Sequence, residues 1–245
     1  MTPGSPRVYL DANRPERRAE LAANLAAVRA RIARACERAG RHPDEVTLVA
    51  VTKTFPVSDI RLLAELGVRE IGENRDQEAR EKAAACADLG LTWHFVGQLQ
   101  TNKARSVARY ASVVHSVDRV RLVHALERAV ASVRSDPLRC LVQVRLDDEP
   151  GRGGADPSAA VELADAIAAA PGLLCAGVMA VAPLGVDPES AFARLAEVAQ
   201  AVRSRHPEAT WISAGMSGDL EAAIGHGATH VRIGRGLLGA RPRNR

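Results

Sequence analysis

The sequence predicts an α/β protein built as a single (β/α)8 TIM barrel with an extra N-terminal helix. Three observations carry this. Strand patterns and helix patterns alternate along the 245 residues with little interruption. Several strands are nearly unbroken apolar runs, as parallel strands covered on both faces require. No Pro-, Gly- or Ser-rich linker and no shift in composition divides the chain, so one closed barrel accounts for it. An open doubly wound sheet is the structural alternative. No G-x-G-x-x-G opens a helix after the first strand, which weakens the dinucleotide-binding version of that sheet.

Residues 1–13 read as a flexible tail and residues 14–245 as one domain. Leu21, Leu25, Val28, Ile32 and Cys36 recur at helical spacing, so the first helix is amphipathic. The arginines between Arg14 and Arg41 alternate with Glu16, Glu20 and Glu37 and read as its wet face. The strands follow at Val46 to Lys53, Arg69 to Glu73, Trp93 to Gly97, Ser112 to Val117, Arg139 to Leu146, Leu173 to Val181, Thr210 to Ser217 and His230 to Arg235. Ser58, Asp118 and Ser217 stand at N-cap positions. Asp156-Pro157 and Asp187-Pro188 combine a cap with Pro at the first helical position. Gly67, Gly90 and Gly172 fall where helices stop and a left-handed residue is needed. Val120, Val123, Leu126, Val130 and Val133 form a clean apolar stripe.

A composition of 47% hydrophobic and 25% charged residues excludes disordered, collagen-like and low-complexity chains. No apolar run approaches the roughly 18 residues of a membrane helix, and the N-terminus lacks an apolar signal core. The expectation is a cytoplasmic protein with no membrane partner. The net charge of +4 does not point to nucleic acid, because helix-surface arginines supply it and 3% aromatic residues offer little for bases to stack on. Cys36, Cys86, Cys140 and Cys175 form no C-x-x-C pair and read as structural, with no metal site. Only Lys53, Lys82 and Lys103 are lysines, so a lysine at the end of a buried strand asks for a reason.

In such barrels chemistry sits at the C-terminal ends of the strands. Alternation places Val49, Val51 and Lys53 on one face of the first strand. A partly buried Lys53 amine is a nucleophile toward an aldehyde; the alternative is a lysine in solvent or in an ion pair. Ser217-Gly218-Asp219 opening a helix, with Gly234 and Gly236 on the next strand, suits an anion such as phosphate, or else simply caps and turns. Arg232 shares a face with Gly234, and an inward arginine needs an acceptor. An imine-forming lysine, a phosphate cradle and a buried donor together describe a site for pyridoxal phosphate, the vitamin B6 cofactor.

The same residues stand in longer motifs. VAVTKTFP around Lys53, IGENRDQE, WHFVGQLQTNK from Trp93 to Lys103, SAGMSGDLEAAI and VRIGRGLLGAR follow in order between about Arg17 and Pro242. In this they resemble the pyridoxal phosphate homeostasis family, whose barrel is similar to the N-terminal domain of alanine racemase. The resemblance implies that Lys53 holds the cofactor covalently as a Schiff base (an internal aldimine). It implies that Asn74 lies beside the ring, that Ser217 and backbone near Met216 and Gly234 bind phosphate, and that Arg232 faces the pyridine nitrogen. His94 and Met179 stand on strands that approach the cofactor, with core packing favoured for Met179. Arg235 occupies a position where the family usually has a small hydroxyl residue. Its guanidinium either replaces that contact with a charge-assisted bond or points to solvent. The loop from Asp147 to Gly154 either gates the site, binds a second anion through Arg152, or is simply mobile.

An arginine stays protonated and leaves the pyridine nitrogen unprotonated, which makes a poor electron sink. Tyr9 lies in the tail and Tyr110 in a helical region, so neither offers a second base, and His94 is the remaining candidate. The expectation is a carrier that holds, buffers and delivers pyridoxal phosphate, with apo-enzymes dependent on that cofactor as partners, and without robust turnover. The alternatives are an amino-acid racemase with Lys53 as one base and an aldolase acting on a sugar phosphate. A monomer is expected, since no further apolar stripe stands out.

Overall fold

The structure is a computed structural model that describes residues 14–147 and 153–240. Eight strands, β1 (Thr47–Val51), β2 (Glu70–Glu73), β3 (Thr92–Phe95), β4 (Val113–Val117), β5 (Leu138–Gln143), β6 (Leu173–Met179), β7 (Trp211–Ser213) and β8 (His230–Ile233), pair in sequence order. Every pairing is parallel, and β1 closes the barrel against β8 with Val49 opposite Arg232. Helices α1 (Arg14–Arg38), α2 (Val57–Glu65), α3 (Asp76–Ala85), α4 (Ala104–Tyr110), α5 (Val120–Val133), α6 (Ala160–Ala169), α7 (Pro188–Arg205), α8 (Leu220–Gly225) and α9 (Arg235–Leu238) surround it. The predicted (β/α)8 barrel with its added helix is the observed fold. The predicted tail and Arg152 lie outside the described residues.

The strands are shorter than the apolar patterning suggests, mainly at their C-terminal ends. β1 stops at Val51, two residues before Lys53, and β7 stops at Ser213. There the backbone leaves the ladder to form the loops of the mouth. Gly67 and Gly172 take positive φ as expected, and Asp156 and Asp187 cap their helices through side-chain bonds. Three cap assignments are corrected. Pro56, Arg119 and Asp219 precede α2, α5 and α8, so Ser58 lies inside α2, and neither Asp118 nor Ser217 is a cap.

The α1 stripe Leu21, Leu25, Val28, Ile32 and Cys36 is buried, and α1 packs on α8 and α9. Its arginines are more than a wet face. Arg17 bonds to Asp59 and to the Leu238 carbonyl, and Arg31 makes a two-point bond to Glu221 while donating to the Ser217 carbonyl at 2.9 Å. The extra helix therefore braces the loop after β7.

Apolar cores fill the space between sheet and helices. Inside the barrel the apolar cluster is small, with Val113, Leu141, Ala176 and Met179. Polar side chains take much of the remaining interior: His94, His115, Ser213, His230 and Arg232 are all buried. Barrel interiors usually hold layers of branched apolar residues. A polar centre is expensive unless its bonds are satisfied.

Candidate cofactor-binding site

Lys53 is the second residue of a turn that follows β1 directly. The Phe55 N–H closes the turn on the Thr52 carbonyl at 3.0 Å, and Lys53 is half-buried. Thr54, the third residue, has φ of 70°. A β-branched residue in the left-handed region is strained, so something must hold it there.

That support comes from α3. Lys82 is buried and donates to the Thr52 carbonyl at 2.7 Å, to Glu73 Oε1 at 2.7 Å and to Glu78 Oε1 at 2.5 Å. Thr52 Oγ1 also donates to Glu73, and the Thr54 N–H donates to Glu78 Oε1 at 2.6 Å. One ammonium thus ties the ends of β1 and β2 to α3 and fixes the backbone on both sides of Lys53. Burial raises the Glu73 carboxyl, opposed by its bonds to Lys82 and Thr52. Lys82 stands in a charged helical stretch, DQEAREK, that patterning does not distinguish from a wet surface; its i, i+4 spacing to Glu78 is the available signal.

Asn74 follows the end of β2. Its Oδ1 is buried without a hydrogen-bond partner among the described residues, an acceptor kept in place for something else. Gly97 explains how it is held. A Cβ there would stand 2.2 Å from the Asn74 carbonyl oxygen, so only glycine lets the loop after β3 pass so close.

Ser217 and the segment before α9 join the last two loops. The Gly236 N–H donates to Ser217 Oγ at 3.0 Å, and a Cβ on Gly236 would stand 3.1 Å from that same oxygen. The Met216 N–H is taken by Asp219 Oδ1 at 2.5 Å, so Met216 does not offer the free donor expected of it. The N–H groups of Ser217 and Gly218 find no backbone acceptor among the described residues, and a Cβ on Gly218 would meet open space. Gly234 precedes α9, and Arg235 begins it with an exposed side chain.

Arg232 enters the centre of the barrel from β8. Its Nη1 donates to Ser213 Oγ at 2.7 Å and its Nη2 to the Ala180 carbonyl at 2.8 Å. Both acceptors are neutral, and no carboxylate among the described residues bonds to it. Burial pushes the guanidinium down to about 10, with the Asp219 charge opposing. It remains a cation at neutral pH.

His94 is placed differently from expectation. Its Nε2 meets Glu70 Oε2 at 2.6 Å and its Nδ1 meets His115 Nε2 at 2.8 Å. Both ring nitrogens are taken, one by Glu70 at the start of β2 and the other by His115 within β4, so neither is left for a ligand. Met179 packs in the interior apolar cluster, as favoured. Tyr110 reaches Asp76 between α3 and α4, where burial raises its phenol well above the usual range. All four cysteines are free thiols, and no metal cluster occurs among the described residues.

Comparisons with known proteins show the fold and the family. A family model described as alanine racemase, N-terminal domain, matches residues 23–242, which defines the class. Within it, the pyridoxal phosphate homeostasis protein of Mycobacterium tuberculosis is 45% identical, with 93% of this chain and 95% of that protein covered. The Escherichia coli protein of the same name is 40% identical, covering 91% and 97%. The chain belongs to the pyridoxal phosphate homeostasis protein family. PipY of Synechococcus elongatus, solved with pyridoxal phosphate bound, has a TM-score of 0.78 at 33% identity, covering 89% of this chain and all of PipY (100%). Alanine racemase from Corynebacterium glutamicum, with a TM-score of 0.64 at 16% identity, shares the fold; the match spans 92% of this chain and 61% of the racemase.

Two outcomes follow from these contacts. Lys82→Met leaves Glu73 and Glu78 without their cation, so denaturant unfolding should show a loss of ~3–5 kcal/mol. A loss below ~1 kcal/mol would reduce the cluster to a surface ion pair. The second concerns acid. Burial, with His94 and Arg232 adding repulsion, pushes His230 down to about 3, and His115 lies well below the usual imidazole range for the same reasons. An unfolded histidine takes up its proton near pH ~6.5, so the unfolded chain binds more protons between about 3 and that value. Stability is therefore full above about pH 6.5 and declines as pH falls toward 3. Unfolding midpoints measured across that range should decline less steeply in His230→Gln, and an unchanged slope would refute the assignment.

Proposed function

We propose that this protein binds pyridoxal phosphate covalently through Lys53 and serves cofactor homeostasis, holding, buffering and delivering it without robust turnover. One observation carries the reading. A buried guanidinium, Arg232, sits at the centre of a barrel whose mouth also holds the Lys53 turn, the orphaned Asn74 Oδ1 and the joined loops after β7 and β8. Pyridoxal phosphate supplies an aldehyde that condenses with an amine with loss of water, a ring nitrogen that accepts a hydrogen bond, and a phosphate. The residues present fit each part.

In this reading Lys53 Nζ supplies the amine. Each Arg232 Nη carries a second N–H, so the guanidinium keeps a proton directed at the ring nitrogen while anchored to Ser213 and Ala180. Because it does not give that proton up, the ring nitrogen stays neutral and carbanion chemistry is poorly supported. Asn74 lies beside the ring. Phosphate takes the N–H groups of Ser217 and Gly218 and the first turn of α9 at Gly234 and Arg235. The exposed Arg235 guanidinium serves there as a charge-assisted donor.

Two groups that a racemase would recruit are committed elsewhere, Tyr110 to the α3–α4 interface and His94 to Glu70 and His115. This supports the carrier reading over a racemase. No helix among the described residues is long and apolar enough to cross a membrane. We take the protein to be a cytoplasmic monomer whose partners are apo-enzymes that need this cofactor.

The protein reconstituted with pyridoxal phosphate should absorb near ~420 nm, the band of a lysine-bound cofactor, and Lys53→Ala should lose it. A wild-type protein that cannot be loaded would sink the reading. The loaded protein, incubated with single-enantiomer amino acids in deuterated water, should show no turnover-scale exchange at Cα while still transferring its cofactor to an apo-enzyme. Appreciable exchange would favour the racemase.

A further inference from the structure

The interior histidines belong to neither the mouth nor the outer core. Glu70, His94, His115, Ser213 and Arg232 are linked end to end: Glu70 Oε2 to His94 Nε2 at 2.6 Å, His94 Nδ1 to His115 Nε2 at 2.8 Å, His115 Nδ1 to Ser213 Oγ at 2.8 Å, and Ser213 Oγ to Arg232 Nη1 at 2.7 Å. The chain crosses the barrel from β2 through β3, β4 and β7 to β8. Its carboxylate end is part-exposed and lines a cavity of about 520 Å³ with Arg29, Asp44 and Arg69. Its other end is the guanidinium proposed to meet the ring nitrogen.

Proton counting fixes its direction. Arginine only donates, so Ser213 Oγ accepts from Nη1 and turns its own hydrogen toward His115 Nδ1. A neutral His115 that accepts there carries its proton on Nε2 and donates to His94 Nδ1. His94 then carries its proton on Nε2 and donates to the Glu70 carboxylate. Each link has one hydrogen and one lone pair. The opposite direction leaves the Ser213 hydrogen without this acceptor and sets a bare His94 Nε2 lone pair against a carboxylate oxygen. It avoids that only by charging a buried ring near Arg232. His115 is held in its neutral form by burial, with the Arg232 charge adding to it.

We propose that Glu70, His94, His115 and Ser213 form a hydrogen-bond chain of single polarity that orients Arg232 toward the ring nitrogen of the cofactor. His115 and Ser213 are positioning residues, acting through Arg232. This rests on the cofactor reading above and adds to it a reason for the polar interior. Without the Ser213 oxygen, Nη1 loses an acceptor in a buried setting and the guanidinium is free to swing toward other carbonyls. Ser213 is the hinge point of the chain, accepting from the cation and donating to the histidine.

Two measurements test it. In the apo-protein at neutral pH, ¹⁵N spectra of the histidine side chains should show His115 neutral and both His94 and His115 protonated at Nε2. Protonation of His115 at Nδ1 would overturn the polarity. In equilibrium dialysis, Ser213→Ala should hold pyridoxal phosphate about tenfold more weakly than wild type, and its His115 signals should shift as Nδ1 loses its donor. Ser213→Thr, which keeps the hydroxyl, should recover both. Wild-type retention by Ser213→Ala would overturn the proposal and leave the cofactor reading standing. A wild-type protein that binds no pyridoxal phosphate would overturn that reading instead, and the apo-protein spectra would still decide the polarity of the chain.

Discussion

A cation buried inside the barrel with no carboxylate among the described residues bonded to it is the constraint to which the rest of the interior answers. Isolated charges of this kind are costly, and Arg232 is retained with only a serine hydroxyl and a backbone carbonyl as described partners. Its charge is balanced at a distance. The Asp219 carboxylate on the mouth side favours the charged form. The interior is polar because the alternative, a guanidinium among branched apolar side chains, would leave its N–H groups unmet. That is also why Val113, Leu141, Ala176 and Met179 form so small a cluster within the barrel.

A second charged device works in the opposite way. Lys82 sits where three acceptors converge, two of them carboxylates, and its role is spatial: it joins β1, β2 and α3 next to Lys53. The two cations divide the labour. One fixes the backbone that carries the Lys53 amine, and in the proposed reading the other would meet the far side of the ligand that the amine would capture. The extra helix adds a third brace through Arg31, which reaches the Ser217 carbonyl while paired to Glu221.

The architecture was legible because parallel strands covered on both faces write themselves as apolar runs. All eight were visible, with errors confined to their ends. Those ends failed for one reason: the ladder stops where residues turn out to build the mouth, and apolar patterning does not record that. Lys53, Arg232, Asn74, Ser217 and the glycines stood out through position and motif. Lys82, His115 and Ser213 did not. Lys82 sits in a charged helix whose pattern resembles any wet surface, and its partners lie up to 30 residues away in sequence. His115 and Ser213 are polar positions within largely apolar strands, where patterning marks an exception but not what it meets. His94 was noticed, but its strand position does not reveal that Glu70 and His115 take both ring nitrogens. The caps at Ser58, Asp118 and Ser217 misled for a related reason: their side chains serve, or leave to neighbours, contacts decided by tertiary structure.

The left-handed Thr54 has a kinetic consequence. A residue of that shape would relax toward an extended or helical conformation if the chain were free, yet its N–H is held by Glu78 and its turn by Lys82. All of these contacts are made by the protein's own side chains. In the proposed reading the loop bearing the amine would keep the same backbone while an aldehyde is captured and released, which would lower the ordering cost of each passage. A protein that must give up what it holds gains more from such reversibility than from tighter grip.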